Sequence, residues 1–310
     1  MFKTNGIASH IGDSGKAISS LSSAFYNKKW IVHGTDFSLP IASKKFRRVS
    51  TIHDLGVYQD ALMDGKFSSR GQRKIEELMS RRPDRIIVPS RFVKGEFLTR
   101  FPNYTKKTFV VNHGCDHLID SSVGNLDMVN ELTSRPFILF VGNLEKRKNL
   151  LGAIKAYEQV RQMIPSLDFV VVGKDGYQAE VIHKAIQSSP FSKDILVVGH
   201  AKDALIKALY QRCQCFVYPS LYEGFGMPVI EAMTLGAAVV TSRATATMEI
   251  SGPGAHLVNP TSIDDIAQGI LKILQDPQYK SQLVLAATEY CKNLSWIQTA
   301  RETIEVYKSL

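Results

Sequence analysis

The stretch EGFGMPVIE at 223–231 sets a carboxylate at each end of a segment that suits neither one plain helix nor one plain strand. Pro228 fits the first position of a helix, where its missing N–H would lack a partner anyway. VIEAMTLG then reads as a short helix closed by Gly236, with Glu231 in its first turn. Gly224 and Gly226 free the backbone ahead of it for unusual angles and close approach to a ligand. A helix start offers unpaired N–H groups and a positive dipole end, which together favour phosphate. Carboxylates do not favour phosphate, but as acceptor-only groups they suit hydroxyls. The segment therefore suits a diphosphate seat with a polyol gripped at each side, ribose at one end and a hexose at the other. Dipole preference alone also places glutamates near a helix start, so on its own the segment leaves both readings open. That reading expects both carboxylates to stand free of internal ion pairs.

From about residue 137 onward, strand, turn and helix alternate, the pattern of a parallel α/β sheet. FILFVGN (137–143), DFVVVGK (168–174), ILVVGH (195–200), CFVYPS (215–220) and AAVVTS (237–242) read as buried strands. Helices are predicted at 150–163, about 178–187, 203–212 and 264–275. Strands running into Gly142, Gly173 and Gly199 deliver the chain to loops at one edge of the sheet, where open α/β folds bind ligands.

The first third repeats the style, with strands at 30–34, 48–54, 85–90 and 108–114 and helices at about 70–81 and 91–100. Two separate sheets are expected. Residues 120–136 lack apolar periodicity and end near Pro136, which marks a linker. The expected domains are 1–132 and 133–310, with a last helix at about 296–310 packing back towards the first.

The 310 residues carry a net charge of +9. Residues 1–107 hold 20 lysines and arginines against 9 acids, and the remainder 18 against 20. The basic third suits a solvated surface or an anionic partner, such as a membrane leaflet touched by KKFRR (44–48) and the arginines of RRPDR (81–85). Only charge speaks for nucleic acid, with no helix-turn-helix or aromatic-spaced signal, so no nucleic-acid partner is expected. Cys115, Cys213, Cys215 and Cys291 form no CxxC pair, and Cys213 and Cys215 read as small buried hydrophobes. With no signal-peptide-like start and no apolar run of spanning length, a cytoplasmic protein is expected, with peripheral contact to the inner face of the membrane.

Several blocks, in order, resemble one large family. YPSLYEGFGMPVIEAMTLGAAVVTS is similar to the E-x7-E signature of retaining glycosyltransferases with the GT-B fold, family 4. LFVGNLEKRKNLLGAI, VVGKDGY, VVGHAKDALIKALY and MEISGPGAHLVNP follow it in type. IVHGTDFSLP, VSTIHDL, IIVPSRFVKGEF and VVNHGCD look like blocks of the mannosyltransferase-like subset, so the resemblance spans roughly 30–310. It implies two Rossmann-like domains facing across a cleft. It also implies transfer of a hexose from a nucleotide-sugar donor, GDP-mannose-like, to a saccharide or lipid-linked acceptor in polysaccharide or glycolipid synthesis.

The resemblance also implies roles. Glu231 holds ribose hydroxyls and Glu223 contacts the transferred sugar. Backbone amides at Phe225, Gly226 and Met227 lie along the sugar and phosphates, and Arg147 and Lys148 neutralise the leaving diphosphate. Gly142 and Asn143 border the donor, Asn143 standing where many relatives carry arginine. Gly173 lies on the donor side, and Gly199 and His200 fall where the base is held. His53 faces the reacting sugar, while Asp54 is open between that site and a structural cap. With no D-x-D and cations already in the phosphate cradle, neither a metal nor a cofactor is expected. Fewer residues precede His53 than the family implies, so the first domain is expected to be shortened or the start to lie inside a longer gene. A shortened domain could leave a nucleotide-sugar-binding partner subunit that transfers poorly.

Overall fold

The computed structural model describes residues 30–36, 39, 46–59, 61–62, 65–119 and 126–310. Contacts group Met1–Asn112 with Thr299–Leu310 as one unit and His113–Gln298 as the other. Residues 1–29 and most of the KKFRR run's start lie outside the described residues, as does 120–125 of the expected linker.

The first unit is built on β1 (Ile31–Gly34), β2 (Arg47–Thr51), α1 (Gly65–Ser80), β3 (Arg85–Val88), α2 (Arg91–Arg100) and β4 (Thr108–Val110). The four strands among its described residues pair in parallel in sequence order. Alternation along β3 divides the core. Ile86 and Val88 join Ile52, Ile75, Leu78 and Phe97 on one face, and Ile87 joins Val49, Val111 and Val306 on the other. The hydroxyl of Ser90 accepts from the Val93 amide and starts α2 at once after the strand.

Three arginines that the sequence offered to a leaflet are held within this unit. Arg48 donates to the Arg81 carbonyl, Arg81 to the Leu39 carbonyl and to Glu77, and Arg85 to the hydroxyl and carbonyl of Ser309. Asp54 accepts from the Gly56 amide at 2.9 Å, a turn cap of the kind the sequence left open.

The second unit contains α3 (Leu126–Leu132), β5 (Phe137–Val141), α4 (Leu150–Met163), β6 (Asp168–Val172), α5 (Ala179–Gln187), β7 (Ile195–Gly199), α6 (Asp203–Arg212), β8 (Cys215–Tyr218), α7 (Met227–Thr234), β9 (Val239–Ser242), α8 (Ala246–Ser251), β10 (Ala255–Val258), α9 (Ile263–Gln275) and α10 (Pro277–Cys291). A last helix, α11 (Trp296–Lys308), begins here and runs into the first unit. The sheet is parallel, in the order β10-β9-β8-β5-β6-β7. Every residue of β5, β6, β8 and β9 is buried, as expected of strands covered on both faces. Strand order reverses between β5 and β8, which pair through Ile138 with Cys215 and Leu139 with Phe216. That reversal opens a crevice beyond the carboxyl ends of the two strands.

Two sequence expectations need correction. Part of the supposed linker is α3, whose Val129 is buried and whose Asn130 accepts from Arg212 of α6, so a short helix packs where weak periodicity suggested coil. The contact boundary falls at Asn112–His113, ahead of 132. Residues 113–117 are tied to the second unit: the Cys115 amide donates to the Leu294 carbonyl at 3.1 Å, and the Trp296 amide to Asp116 at 2.9 Å.

Candidate active site

The loops that leave β5 and β8 meet at the reversal. After β5, Lys146–Lys148 makes one tight turn and Asn149 takes a left-handed conformation, φ 57°. The Asn149 side-chain Nδ2 donates to the carbonyls of Pro219 and Pro260, and the Leu221 backbone amide donates to the Arg147 carbonyl at 2.8 Å. These bonds fix the 143–149 loop against the chain leaving β8.

Glu223 sits on that chain, buried, and its carboxylate is not free. Lys148 donates to Oε1, the Tyr218 hydroxyl donates to the same oxygen at 2.9 Å, and Arg147 lies 3.5 Å from Oε2. Arg147 is shared with Glu145, which accepts from its Nε at 3.0 Å and from Asn143 at 3.2 Å. Lys148 also lies over the Tyr218 ring, 5.3 Å from its centre. Burial lowers the Lys148 ammonium from its ordinary range, with Arg147 adding to the effect and Glu223 opposing it. Burial raises the Tyr218 phenol well above its ordinary value, and the Glu223 charge adds to that, so Tyr218 remains a donor.

Gly226, φ 100°, turns the chain into α7, a conformation that requires glycine. Gly224 has no positive φ, so the unusual backbone belongs to Gly226 alone. The helix starts at Met227 with Pro228 one place in, so Glu231 lies beyond its first turn. Phe225 is buried, its ring 4.9 Å from that of His113.

Glu231 is also partnered, but by different groups. His117 Nε2 lies 3.2 Å from Oε1, and the Tyr210 hydroxyl donates to Oε2 at 3.3 Å. Burial raises the Glu231 carboxyl above the usual carboxylate range, and His117 pulls it back. The expectation that both acids stand free of internal partners is therefore overturned. Glu223 lies against Arg147 and Lys148, the two cations that the sequence reading assigned to phosphate, and Glu231 between a histidine and a phenol.

The remaining residues fall at the same sheet edge. Gly142, Gly173 and Gly199 end β5, β6 and β7 side by side: the Gly142 amide donates to Val172 and the Gly173 amide to Gly199, each at 2.8 Å. His200 follows, exposed. His53 belongs to the first unit, where its Nε2 donates to the Thr35 carbonyl at 2.7 Å, so in the neutral ring Nδ1 is the acceptor. Sequence reasoning missed Glu145, Tyr210, Tyr218 and His117. The two tyrosines lie on faces that read as core, and His117 follows the quoted block VVNHGCD by one residue.

The model of the family described as "Glycosyl transferases group 1" matches residues 127–290. The chain is 28% identical over 291 residues to O-antigen chain mannosyltransferase B of Escherichia coli, covering 91% of this chain and 75% of that protein. It is 33% identical over 200 residues to the serotype-specific mannosyltransferase WbdA of Escherichia coli, covering 62% of this chain and 24% of that protein. It thus spans about a quarter of that relative. Among solved structures, sucrose-phosphate synthase from Thermosynechococcus elongatus matches with a TM-score of 0.74 at 22% identity, over 90% of this chain and 73% of that one. Anabaena Alr3699/HepE in complex with UDP-glucose matches with a TM-score of 0.72 at 20% identity, over 86% and 73%. At these identities the structural likeness speaks for the fold.

Proposed function

The chain belongs to the glycosyl transferases of group 1 and has a GT-B fold, and on that premise we propose that it is a retaining hexosyltransferase of family 4. Its donor is a nucleotide-diphosphate sugar, GDP-mannose-like in view of the mannosyltransferase relatives, and its acceptor a saccharide or lipid-linked glycan. The main support is the meeting of Arg147, Lys148 and Glu223 at the strand-order reversal, beside the start of α7.

A diphosphate arriving there competes with Glu223 for Arg147 and Lys148. As the cations turn to phosphate, the oxygens of Glu223 become available to hydroxyls of the transferred sugar. The same cations, with the amides at the start of α7, stabilise the charge that grows on the leaving diphosphate, electrostatic preorganisation worth several kcal/mol as a rule. The departing phosphate can take the acceptor's proton, so no side chain need become covalently attached. Glu231 accepts from ribose hydroxyls, Gly142, Asn143 and Gly173 border the donor, Gly199 and His200 hold the base, and His53 serves the reacting sugar.

A thermal-shift screen of nucleotide-sugars against the full chain, repeated with Glu231→Ala, tests this assignment. The wild type is expected to gain stability with one donor class, and the variant to lose most of that gain. A donor that stabilises both equally would remove Glu231 from the ribose.

A further inference from the structure

The block VVNHGCD is fastened to the second unit at every residue from 114 onward. A Cβ at Gly114 would fall 2.1 Å from the Trp296 amide nitrogen, so only glycine lets the two backbones approach as they do. Cys115 is buried, its amide on the Leu294 carbonyl and its sulfur receiving the Thr234 hydroxyl of α7 at 2.9 Å. Asp116 accepts from the Trp296 amide. Beyond these anchors the next side chain is His117, flanked by the Trp296 ring at 6.5 Å and set against Glu231.

Four features converge on this carboxylate. Its two oxygens are engaged by different donors, His117 on Oε1 and Tyr210 on Oε2. A carboxylate offers about four lone-pair sites, so each oxygen keeps capacity for a further hydroxyl. Tyr210 is fully buried, whereas the His117 side chain is 38% exposed, so one donor is fixed in the core and the other stands at the surface. A hydrogen bond open to water on one side contributes little to stability, which leaves orientation as the stronger account of it.

We propose that His117 is a positioning residue for nucleotide binding: with Tyr210 it holds the Glu231 carboxylate in the plane that accepts from the ribose hydroxyls. This rests on the assignment of Glu231 to ribose. His117 acts through Glu231 and need touch no ligand. Its conservative replacement is Gln, whose amide N–H can take the place of the Nε2 donor.

The test is calorimetric binding of UDP and GDP, and of their 2′,3′-dideoxy counterparts, to the full-length wild type, His117→Ala, His117→Gln and Glu231→Ala. Thermal midpoints confirm that each is folded. For whichever nucleotide the wild type binds more tightly, His117→Ala is expected to weaken binding roughly tenfold, the scale of one charge-assisted hydrogen bond. Binding of the dideoxy form should be unchanged, and His117→Gln should recover most of the loss. Equal weakening of the ribo and dideoxy forms would reduce His117 to a structural prop and overturn the proposal. Should Glu231→Ala discriminate between the two forms while His117→Ala does not, His117 alone loses its role. Should Glu231→Ala not discriminate, or the wild type bind neither nucleotide, the ribose assignment itself fails.

Discussion

Two sites, one in each unit, hold ionisable groups in opposite ways. In the second, Lys148 and Glu223 form an opposite-charge pair in the interior, with Arg147 and Glu145 extending it towards the surface. In the first, His33 lies between two hydroxyls, Nδ1 2.6 Å from Tyr307 and Nε2 2.9 Å from Thr51. Removing charges from water costs free energy that a buried pair often fails to recover, so an apolar replacement can be equally stable. A charged cluster at a strand-order reversal is thus better explained by what it can bind than by what it holds together. A neutral histidine among hydroxyls needs no ligand to account for it. Its weakness is acid.

Lys148 offers the largest test of that contrast. Lys148→Met leaves Glu223 buried with Tyr218 and the more distant Arg147, and breaking such a pair costs about 3–5 kcal/mol. Its thermal midpoint should fall, and transfer should fall about 10²–10³-fold, the usual effect of losing one donor to a developing charge. Nucleotide-sugar turnover measured below the variant's unfolding temperature separates the two effects. If activity there survives, Lys148 is a structural counter-ion and the contrast between the units disappears.

Glu223→Gln sharpens the contrast from the other side. The substitution keeps the shape and removes the charge that competes with phosphate for Arg147 and Lys148. Nucleoside diphosphate should bind at least as tightly as to the wild type, while kcat falls about 100-fold, the pattern of a group that matters in the transition state and not in ground-state binding. A variant that loses affinity and keeps kcat would show Glu223 to be part of the anion seat, contrary to its assignment to the sugar.

The sequence disclosed these regions unevenly, for physical reasons. Strands covered on both faces are continuous apolar runs ended by glycine or proline, so FILFV, DFVVV and CFVY could be read directly, as could α4 and α6 from their spacing. Strand β10 escaped because AHLV is short and follows Gly252 and Gly254, and α3 because one buried Val129 is a weak periodic signal. Arg147 and Lys148 stood out because they follow a strand that ends at a sheet edge. What they touch did not. Lys148 and Glu223 lie far apart in sequence, and a lysine next to a strand reads the same whether its partner is a phosphate or a carboxylate. His117 and Tyr210 meet Glu231 only through folding, and nothing in a lone histidine or a helix-face tyrosine announces that meeting.

The smallest expected effect belongs to the first unit and depends on pH. Burial lowers the His33 pKa from 6.5 to about 4, and the nearby His53 adds to the shift, while the groups bonded to the ring, Tyr307 and Thr51, remain uncharged. Between those two values the unfolded chain binds a proton that the folded chain does not, so stability rises with pH across that window. The contribution is complete above 6.5 and is lost as the pH falls towards 4, to a total of about 3 kcal/mol for a shift of this size. Urea midpoints at pH 7, 5.5 and 4.5 should show this loss for the wild type and a flatter profile for His33→Gln, which cannot take up the proton. Tyr307→Phe should cost only about 1 kcal/mol at pH 7, the net value of one hydrogen bond. If His33→Gln keeps the wild-type slope, the acid sensitivity lies elsewhere, and the histidine's burial would not be the first unit's counterpart to the ion cluster of the second.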